Sequence, residues 1–243
     1  MTYEQARAAA ERGGVALLPT GATEAHGPHL PLATDVIISR EAAVRAARLL
    51  RAEAIEAVVL PPLAYAVTEF AADFGGTISL PIETARALAR DVILGAMRAG
   101  FRGVVVVNAH LEPGNLTALR EAVSEANERG AKAVFPDVTR KPHALALGDE
   151  FKSGACHAGR FEGSVVMAER PGSVREAIRV ALPANPSSLS VAIREGKQSF
   201  LEAGGPRAYF GFPADASASE GEERFRALAE IFAAATRDLL AAG

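Results

Sequence analysis

The sequence predicts an α/β protein, a three-layer α/β/α sandwich around a mostly parallel central sheet. Short β-branched runs alternate along the chain with longer segments of helical periodicity. The strongest apolar run, at residues 104–107, shows no polar alternation, which is typical of a parallel strand covered on both faces. Strands separated by helix-length segments favour parallel pairing with helices on both sides of the sheet.

Four strand-like segments are set off by turn residues. The first ends at Pro19 and Gly21, the second ends at Pro61, and the third is a run of four valines before Asn108. Valine fits a pleated, buried surface, and proline cannot donate to a central ladder. The expected strands are residues 15–18, 58–60, 104–107 and 133–135.

Longer segments between and after these strands show the helical period. Ala85, Leu88 and Val92 share one face of the segment after Pro81, and Gly100 marks its end. The same spacing predicts helices over residues 35–50, over residues 116–126 and from about residue 219. Residues 137–157 and 180–205 lack a period, and we expect long loops there, which in compact domains often bind ligands. Without a linker or an internal repeat, a single domain over residues 1–243 is expected.

Composition excludes several classes of protein. The 243 residues carry a net charge of −3 without a basic cluster, and 49% of them are hydrophobic, so neither a nucleic-acid partner nor general disorder is expected. The single cysteine, Cys156, cannot form an internal disulfide, which favours a reducing compartment. The first residues are too polar for a signal peptide, and no apolar stretch approaches the ~18 residues of a membrane span. We therefore expect a cytoplasmic protein without a membrane partner.

The first candidate site follows the first strand. Glu24 and His26 are two residues apart in an extended segment, so both side chains can face one cavity. The carboxyl end of a strand is also where open α/β sheets bind their ligands. Asp35 falls at the start of the next helix, where an aspartate can be a metal ligand, a helix N-cap, or both.

Two further groups resemble the first in chemistry. His110 and Glu112 follow the buried third strand with the same spacing. His157 and Glu162 follow the long loop, although Glu162 alone is also a common first-turn acid of a helix. Imidazole and carboxylate ligands suit Zn²⁺, Mn²⁺ or Fe²⁺, and the absence of paired cysteines argues against a thiolate-rich structural site. A metal-dependent hydrolase is the resulting hypothesis.

Taken in order, these segments resemble the creatininase (creatinine amidohydrolase) family. Residues 18–35 are similar to its block LPxGSTEQHGPHLPLxTD, and residues 74–80 are similar to FPGTISL. Asn108 and His110 match the family's NGH. His157, Glu162 and Ser164 match HAGxxETS. The fold implied by this resemblance is the creatininase-like α/β/α sandwich.

The resemblance implies a dinuclear metal site, with Zn²⁺ as the first choice and Mn²⁺ or Fe²⁺ as alternatives. It assigns one ion to Glu24, Asp35 and His110, and the other to His26, Asp35 and Glu112. A water between the ions would be the nucleophile. His157 would be a catalytic proton shuttle to the leaving nitrogen, and Glu162 would orient or deprotonate the water.

The resemblance further implies hydrolysis of a C–N amide bond in a cyclic amide, a formamide or a related small substrate, by a homo-oligomer that is often a hexamer. Creatininase closes its pocket with tryptophans and this chain has none, which argues against creatinine. Arg140, Lys141 and Lys152 lie in the long loop and could meet an anionic substrate. Two alternatives stay open: a non-catalytic metal- or ligand-binding protein that retains the fold, and a metal-free enzyme that uses Cys156 or a serine.

Overall fold

The computed structural model describes residues 1–154 and 157–242. Its strands are β1 (Val15–Thr20), β2 (Ala57–Val59), β3 (Gly103–Asn108) and β4 (Ala133–Val134). Its helices are α1 (Tyr3–Glu11), α2 (Thr34–Ala52), α3 (Ile82–Arg98), α4 (Pro113–Glu128), α5 (His143–Ala146), α6 (Asp149–Ser153), α7 (Arg160–Glu169), α8 (Glu176–Arg179), α9 (Leu189–Arg194) and α10 (Ala218–Ala241). Two short 3₁₀ turns, Pro171–Ser173 and Pro213–Asp215, complete the described elements.

The strands pair in parallel in the order β2-β1-β3-β4. The chain leaves β1 toward β2 on one side and leaves β3 toward β4 on the other. The topological switch point therefore lies between β1 and β3, and a crevice opens there at the carboxyl ends of the strands. The two strands end in register, because Thr20 pairs with Asn108.

Helices cover both faces of the sheet. Helices α2, α7 and α10 pack on one face, and α1, α3 and α4 pack on the other. The β1 and β3 residues of the first face are Val15, Leu17, Val105 and Val107, and those of the second are Ala16, Leu18, Val104 and Val106. Each fully buried aliphatic side chain contributes roughly 1.5–3 kcal/mol to stability. The predicted α/β fold class and the four predicted strands are confirmed.

The structure differs from the sequence prediction in the two stretches expected to be loops. Helices α5 and α6 lie within residues 137–157, and α9 lies within residues 180–205. Helices this short are marginal in isolation and depend on tertiary contacts, so they leave little periodic signal. The prediction also missed α1, which begins with a capping box between Thr2 and Gln5 that the sequence does contain.

Asp35 is not a helix N-cap. Helix α2 begins at Thr34, and the preceding residue, Ala33, has no side chain that can cap. Asp35 instead lies inside the first turn, buried, with Oδ2 accepting a hydrogen bond from the backbone N–H of Ala22 at 3.3 Å. Of the two roles the sequence left open, capping is excluded.

Among the described residues, no helix combines the length and the apolar character needed to cross a membrane.

Candidate metal centre

The site lies where the loops after β1 and β3 meet the start of α2. Thr20 Oγ donates a hydrogen bond to Asn108 Oδ1 at 3.0 Å, which joins the two strand ends. Gly21 lets the first loop lie against α2, since a Cβ there would stand 2.7 Å from the backbone carbon of Asp35. The sequence therefore folds so that Glu24, His26, Asp35 and His110 converge at the switch point.

His26 belongs to one group of donors. Its Nε2 lies 3.2 Å from Asp35 Oδ1 and 3.6 Å from Glu162 Oε2. Glu162 reaches this position from the first turn of α7, and its Oε2 also accepts a hydrogen bond from Ala158 N at 2.5 Å. All three side chains are buried, and one atom of each lies within 4.8 Å of the others.

His110 belongs to a second group. Its Nδ1 lies 3.1 Å from Asp35 Oδ2 and 3.3 Å from Glu24 Oε1. Glu112 comes close to the same group, within 4.8 Å of donor atoms of Glu24 and His110. Asp35 thus points one oxygen at each histidine and lies between the two groups.

The carboxylates are grouped differently from the arrangement the family resemblance implied. Glu112 lies with Glu24 and His110, and Glu162 lies with His26 and Asp35. Glu24 lies near both histidines, because its Oε1 is also 3.7 Å from His26 Nε2 and forms a third group with His26 and His157. Both Glu112 oxygens accept backbone N–H groups, from Glu69 at 3.0 Å and Phe70 at 3.2 Å, and these bonds hold the carboxylate beside the loop between β2 and α3.

Backbone carbonyls set the orientation of each site histidine. His26 Nδ1 lies 3.2 Å from Glu24 O, His110 Nε2 lies 2.7 Å from Val67 O, and His157 Nε2 lies 2.9 Å from Ala25 O. A carbonyl only accepts, so each of these nitrogens carries the proton. The other nitrogen of each ring faces the carboxylates, an arrangement common around metal-ligating histidines.

The electrostatics of the cluster favour bound positive charge. Burial disfavours protonated His26, but the carboxylates of Asp35 and Glu162 outweigh it and raise the His26 pKa to about 10. His110 behaves alike: against the opposing effect of burial, Glu24 and Asp35 raise its pKa well above the usual value. Burial raises the Glu162 pKa to about 8, against the charge of His26. Several buried carboxylates in one site require compensating cations, which metal ions can supply.

His157 lies on the cavity side of the cluster. Its ring is sandwiched between His26, at 4.4 Å between centroids, and Phe200, at 4.3 Å. Its Nδ1 lies 3.8 Å from Glu24 Oε1. Burial, reinforced by the charge of His26, lowers the His157 pKa to about 4, so the ring is neutral at neutral pH and able to accept a proton.

The residues present fit divalent ions. His26 Nε2 is buried and has no hydrogen-bond partner within residues 1–154 and 157–242, although carboxylate oxygens surround it. An orphaned imidazole nitrogen is costly unless it has a ligand. Two imidazoles and several carboxylates, without a thiolate among the described donors, are the set that Zn²⁺, Mn²⁺ and Fe²⁺ accept.

Three supporting residues escaped the sequence reasoning. Thr68 donates its hydroxyl proton to Glu24 Oε2, and Asn115 Nδ2 donates to His110 O at 2.9 Å, so both shape the site without a motif of their own. Phe200 contacts His157 from a part of the chain that the sequence left as irregular. None of these contacts has a local sequence signal, because each joins segments that are distant in the chain or depends on a loop's exact path.

Glu150 holds the start of α7. Its carboxylate accepts backbone N–H groups of Arg160 at 2.9 Å, Phe161 at 2.6 Å and Phe212 at 2.7 Å. An acid at the N-terminus of a helix satisfies donors that have no partner within the helix and interacts favourably with its dipole. Through these bonds α6 is tied to the helix that carries Glu162.

The creatininase family model, described as creatinine amidohydrolase, matches residues 1–236. The chain belongs to the creatininase family. This confirms the resemblance drawn from the sequence motifs, and solved creatininase structures confirm the fold. Creatininase-family members are metal-dependent amidohydrolases, and this chain is an enzyme of that type.

Named relatives carry two different activities. The mycofactocin precursor peptide peptidase of Mycobacterium tuberculosis is 32% identical over 221 residues, which cover 88% of this chain and 81% of that protein. The creatinine amidohydrolase of Pseudomonas putida is 32% identical over 196 residues, covering 72% of this chain and 72% of that one.

Solved structures share the creatininase fold. A manganese creatininase superimposes with a TM-score of 0.75 at 23% identity, covering 98% of this chain and 96% of that chain. Another creatininase gives a TM-score of 0.75 at 24% identity, covering 97% and 94%. A further solved creatininase is a Zn–Zn form.

Proposed function

We propose that this creatininase-family enzyme hydrolyses a C–N amide bond with two divalent metal ions bridged by Asp35. The observation that carries the proposal is the position of its carboxylate, with Oδ1 3.2 Å from His26 Nε2 and Oδ2 3.1 Å from His110 Nδ1. A carboxylate that offers one oxygen to each of two imidazole groups is suited to bridging. When bound, such ions polarise a carbonyl and lower the pKa of water to about 7.

Each ion would receive one histidine and two carboxylates. We assign Glu24, Asp35 and His110 to the first ion, and His26, Asp35 and Glu162 to the second. The shortest distances, 3.1–3.3 Å from the histidines to Asp35 and from His110 to Glu24, support this division, and Glu24 also lies 3.7 Å from His26. Zn²⁺ remains the first choice, with Mn²⁺ or Fe²⁺ as alternatives.

The remaining site residues would move protons. Glu112 lies beside the first group, held by the N–H groups of Glu69 and Phe70, and each of its oxygens keeps a lone pair for a further bond. In this proposal Glu112 accepts the proton that the attacking water loses. His157 lines the same cavity, and its unprotonated Nδ1 would take up the proton that the water has lost to Glu112 and pass it to the leaving nitrogen.

Glutamine substitutions distinguish the role of Glu162 as a metal ligand from the role of Glu112 in proton transfer. We expect Glu162→Gln to lose about one ion per chain, because a neutral amide oxygen is a weaker ligand than a carboxylate, and to lose turnover with it. Glu112→Gln is expected to keep both ions and to lower kcat by roughly a hundredfold or more. Elemental mass spectrometry and steady-state kinetics measure both. The reverse pattern, with the ion lost in Glu112→Gln and kept in Glu162→Gln, would exchange the two roles.

Metal content of the purified enzyme tests the function itself. We expect two ions per chain, loss of amide hydrolysis after chelation, and recovery on adding Zn²⁺ or Mn²⁺. Release of amine from a panel of lactams, formamides and N-acyl amino acids would report activity. Less than one ion per chain, with no response to added metal, would favour the non-catalytic binding protein instead.

Turnover after Cys156→Ala tests the alternative in which the Cys156 thiol is the nucleophile, although Cys156 lies outside the described residues.

Four further expectations stay predictions: the small-molecule amide partner, the homo-oligomer with a possible hexameric form, the cytoplasmic location and the single domain over residues 1–243. The lack of tryptophan in the sequence argues against creatinine as the substrate. The peptidase relatives make an amide within or derived from a peptide the better candidate.

A further inference from the structure

A cavity of about 560 Å³ opens above the candidate metal centre. Its walls are largely apolar and are formed by Phe70, Leu111, Phe151, Leu189, Ile193 and Phe200. A cavity of this size falls in the range that encloses drug-sized ligands. It is larger than a single small ring requires, which indicates that the substrate has a sizeable apolar part.

The charges around this cavity have one sign outside the metal centre. Apart from the site residues, the charged side chains that line it in the described part of the chain are Lys141, Lys152 and Arg194. Three cations and no additional carboxylate line this cavity, although the net charge of the protein is −3. A cavity lined by one sign of charge attracts a ligand of the opposite sign.

Two of these cations are available for a ligand. Lys141 and Arg194 form no ion pair within the described residues, whereas Lys152 Nζ lies 3.0 Å from the exposed carboxylate of Asp149. Arg140, which the sequence also offered as an anion-binding residue, does not line the cavity and lies 3.4 Å from Asp137 instead. Of the three cations that the sequence offered for an anionic substrate, Lys141 and Lys152 line the cavity and Arg140 does not. Arg194 lines it as well, which the sequence did not indicate.

Uncharged polar groups are few on the same walls. Thr139 and Ser190 are the hydroxyl side chains among the described lining residues. A sugar or another polyhydroxylated substrate would lose its hydrogen bonds to water without replacement, at a cost for each unpaired group. An apolar body with one anionic group suits these walls better.

Building on the proposed amidohydrolase function, we propose that the substrate is an N-acylated apolar amino acid, or the equivalent C-terminal end of a short peptide. The amide carbonyl lies at the metal centre, the apolar side chain packs on the phenylalanine and leucine walls, and the free carboxylate meets Lys141 and Arg194. Hydrolysis consumes one water: its oxygen bonds to the carbonyl carbon, the C–N bond breaks, and the nitrogen takes a proton. The products are a carboxylic acid and a free amino acid.

A pair of analogues in which the scissile amide is replaced isolates the carboxylate. The first is 2-benzyl-4-oxopentanoate, in which a methylene replaces the amide nitrogen of N-acetylphenylalanine, and the second is its neutral carboxamide. Calorimetric titration of the metal-loaded enzyme should show the anion binding at least ~10-fold more tightly, as a charge-assisted contact predicts. Lys141→Gln and Arg194→Gln should each reduce this preference about threefold or more, and the double variant should nearly abolish it.

Lys132→Gln is the matched control. Lys132 directly precedes β4 and so lies at the amino ends of the parallel strands, whereas the cavity opens at their carboxyl ends and is not lined by Lys132. Its loss should therefore leave the preference unchanged. Equal binding of the two analogues by the wild type would overturn the inference. So would a preference that survives in the double variant, because the carboxylate would then be held by groups other than Lys141 and Arg194.

Hydrolysis of N-acetylphenylalanine, followed by amine release, is measured separately. Preferential binding without turnover would retain the cavity assignment and contradict the hydrolase. Turnover of neutral amides without any preference for the anion would support the hydrolase and contradict the assignment of the cavity to an anionic substrate.

Discussion

Replacing Asp35 by asparagine is expected to cost the enzyme both metal ions and to lower kcat/KM by about a thousandfold or more. The buried carboxylate faces His26 with one oxygen and His110 with the other, and an amide can offer only one of these two donors. A Lewis-acid ion contributes several kcal/mol to catalysis, and each 1.36 kcal/mol is tenfold in rate. Elemental mass spectrometry and kinetics on the same preparation measure both effects.

Glu41→Gln is the matched control for this substitution. Glu41 is a second buried acid of helix α2, but its carboxylate pairs with Arg45 at 2.8 Å and lies outside the metal groups of the described residues. We expect this variant to keep two ions per chain and near-normal activity. Two tightly bound ions in Asp35→Asn would contradict the bridging role.

Replacing Gly221 by alanine is expected to destabilise the fold by at least about 2 kcal/mol, a larger effect than most single substitutions. Helices α7 and α10 touch at this glycine, and a Cβ there would stand 2.0 Å from the backbone oxygen of Ser164 and 2.8 Å from Ala168 Cβ. Backbone cannot rotate away as a side chain can, so the helices must separate. Because Glu162 lies on α7, the second metal ion should also bind more weakly.

Gly95→Ala provides the comparison within helix α3. There the nearest atom to a new Cβ belongs to the flexible side chain of Arg98, at 3.8 Å. This variant should gain about 0.5–1 kcal/mol from the higher helix propensity of alanine. Urea unfolding measures both variants, and a Gly221→Ala protein as stable as the wild type would show that α7 and α10 tolerate a wider spacing.

Much of the fold could be predicted because its signals are local. The valine run of β3 predicted a strand covered on both faces, and the spacing of apolar residues predicted α2, α3, α4 and α10. The short helices α5, α6 and α9 could not be predicted in the same way. They are too brief for a helical period and depend on contacts with the rest of the chain.

The candidate site also has a part that the sequence predicts and a part that depends on the tertiary structure. Residues two apart after a strand, Glu24 with His26 and His110 with Glu112, face one region because backbone geometry requires it. Spacing does not say which carboxylate joins which histidine. The pairing depends on the backbone N–H groups of Glu69 and Phe70, which hold Glu112 near His110. It also depends on the position of the first turn of α7, which places Glu162 next to His26.

The sequence by itself determined the class of fold, the family motifs and the donor chemistry, because these depend on residue type, periodicity and short spacing. Only the tertiary structure decided that Asp35 lies between two groups of donors, that Phe200 covers His157, and that Lys141 and Arg194 line one cavity. Most of those contacts join residues that are tens of positions apart in the chain. Their relative positions are set by the packing of helices on the sheet, which no local pattern records.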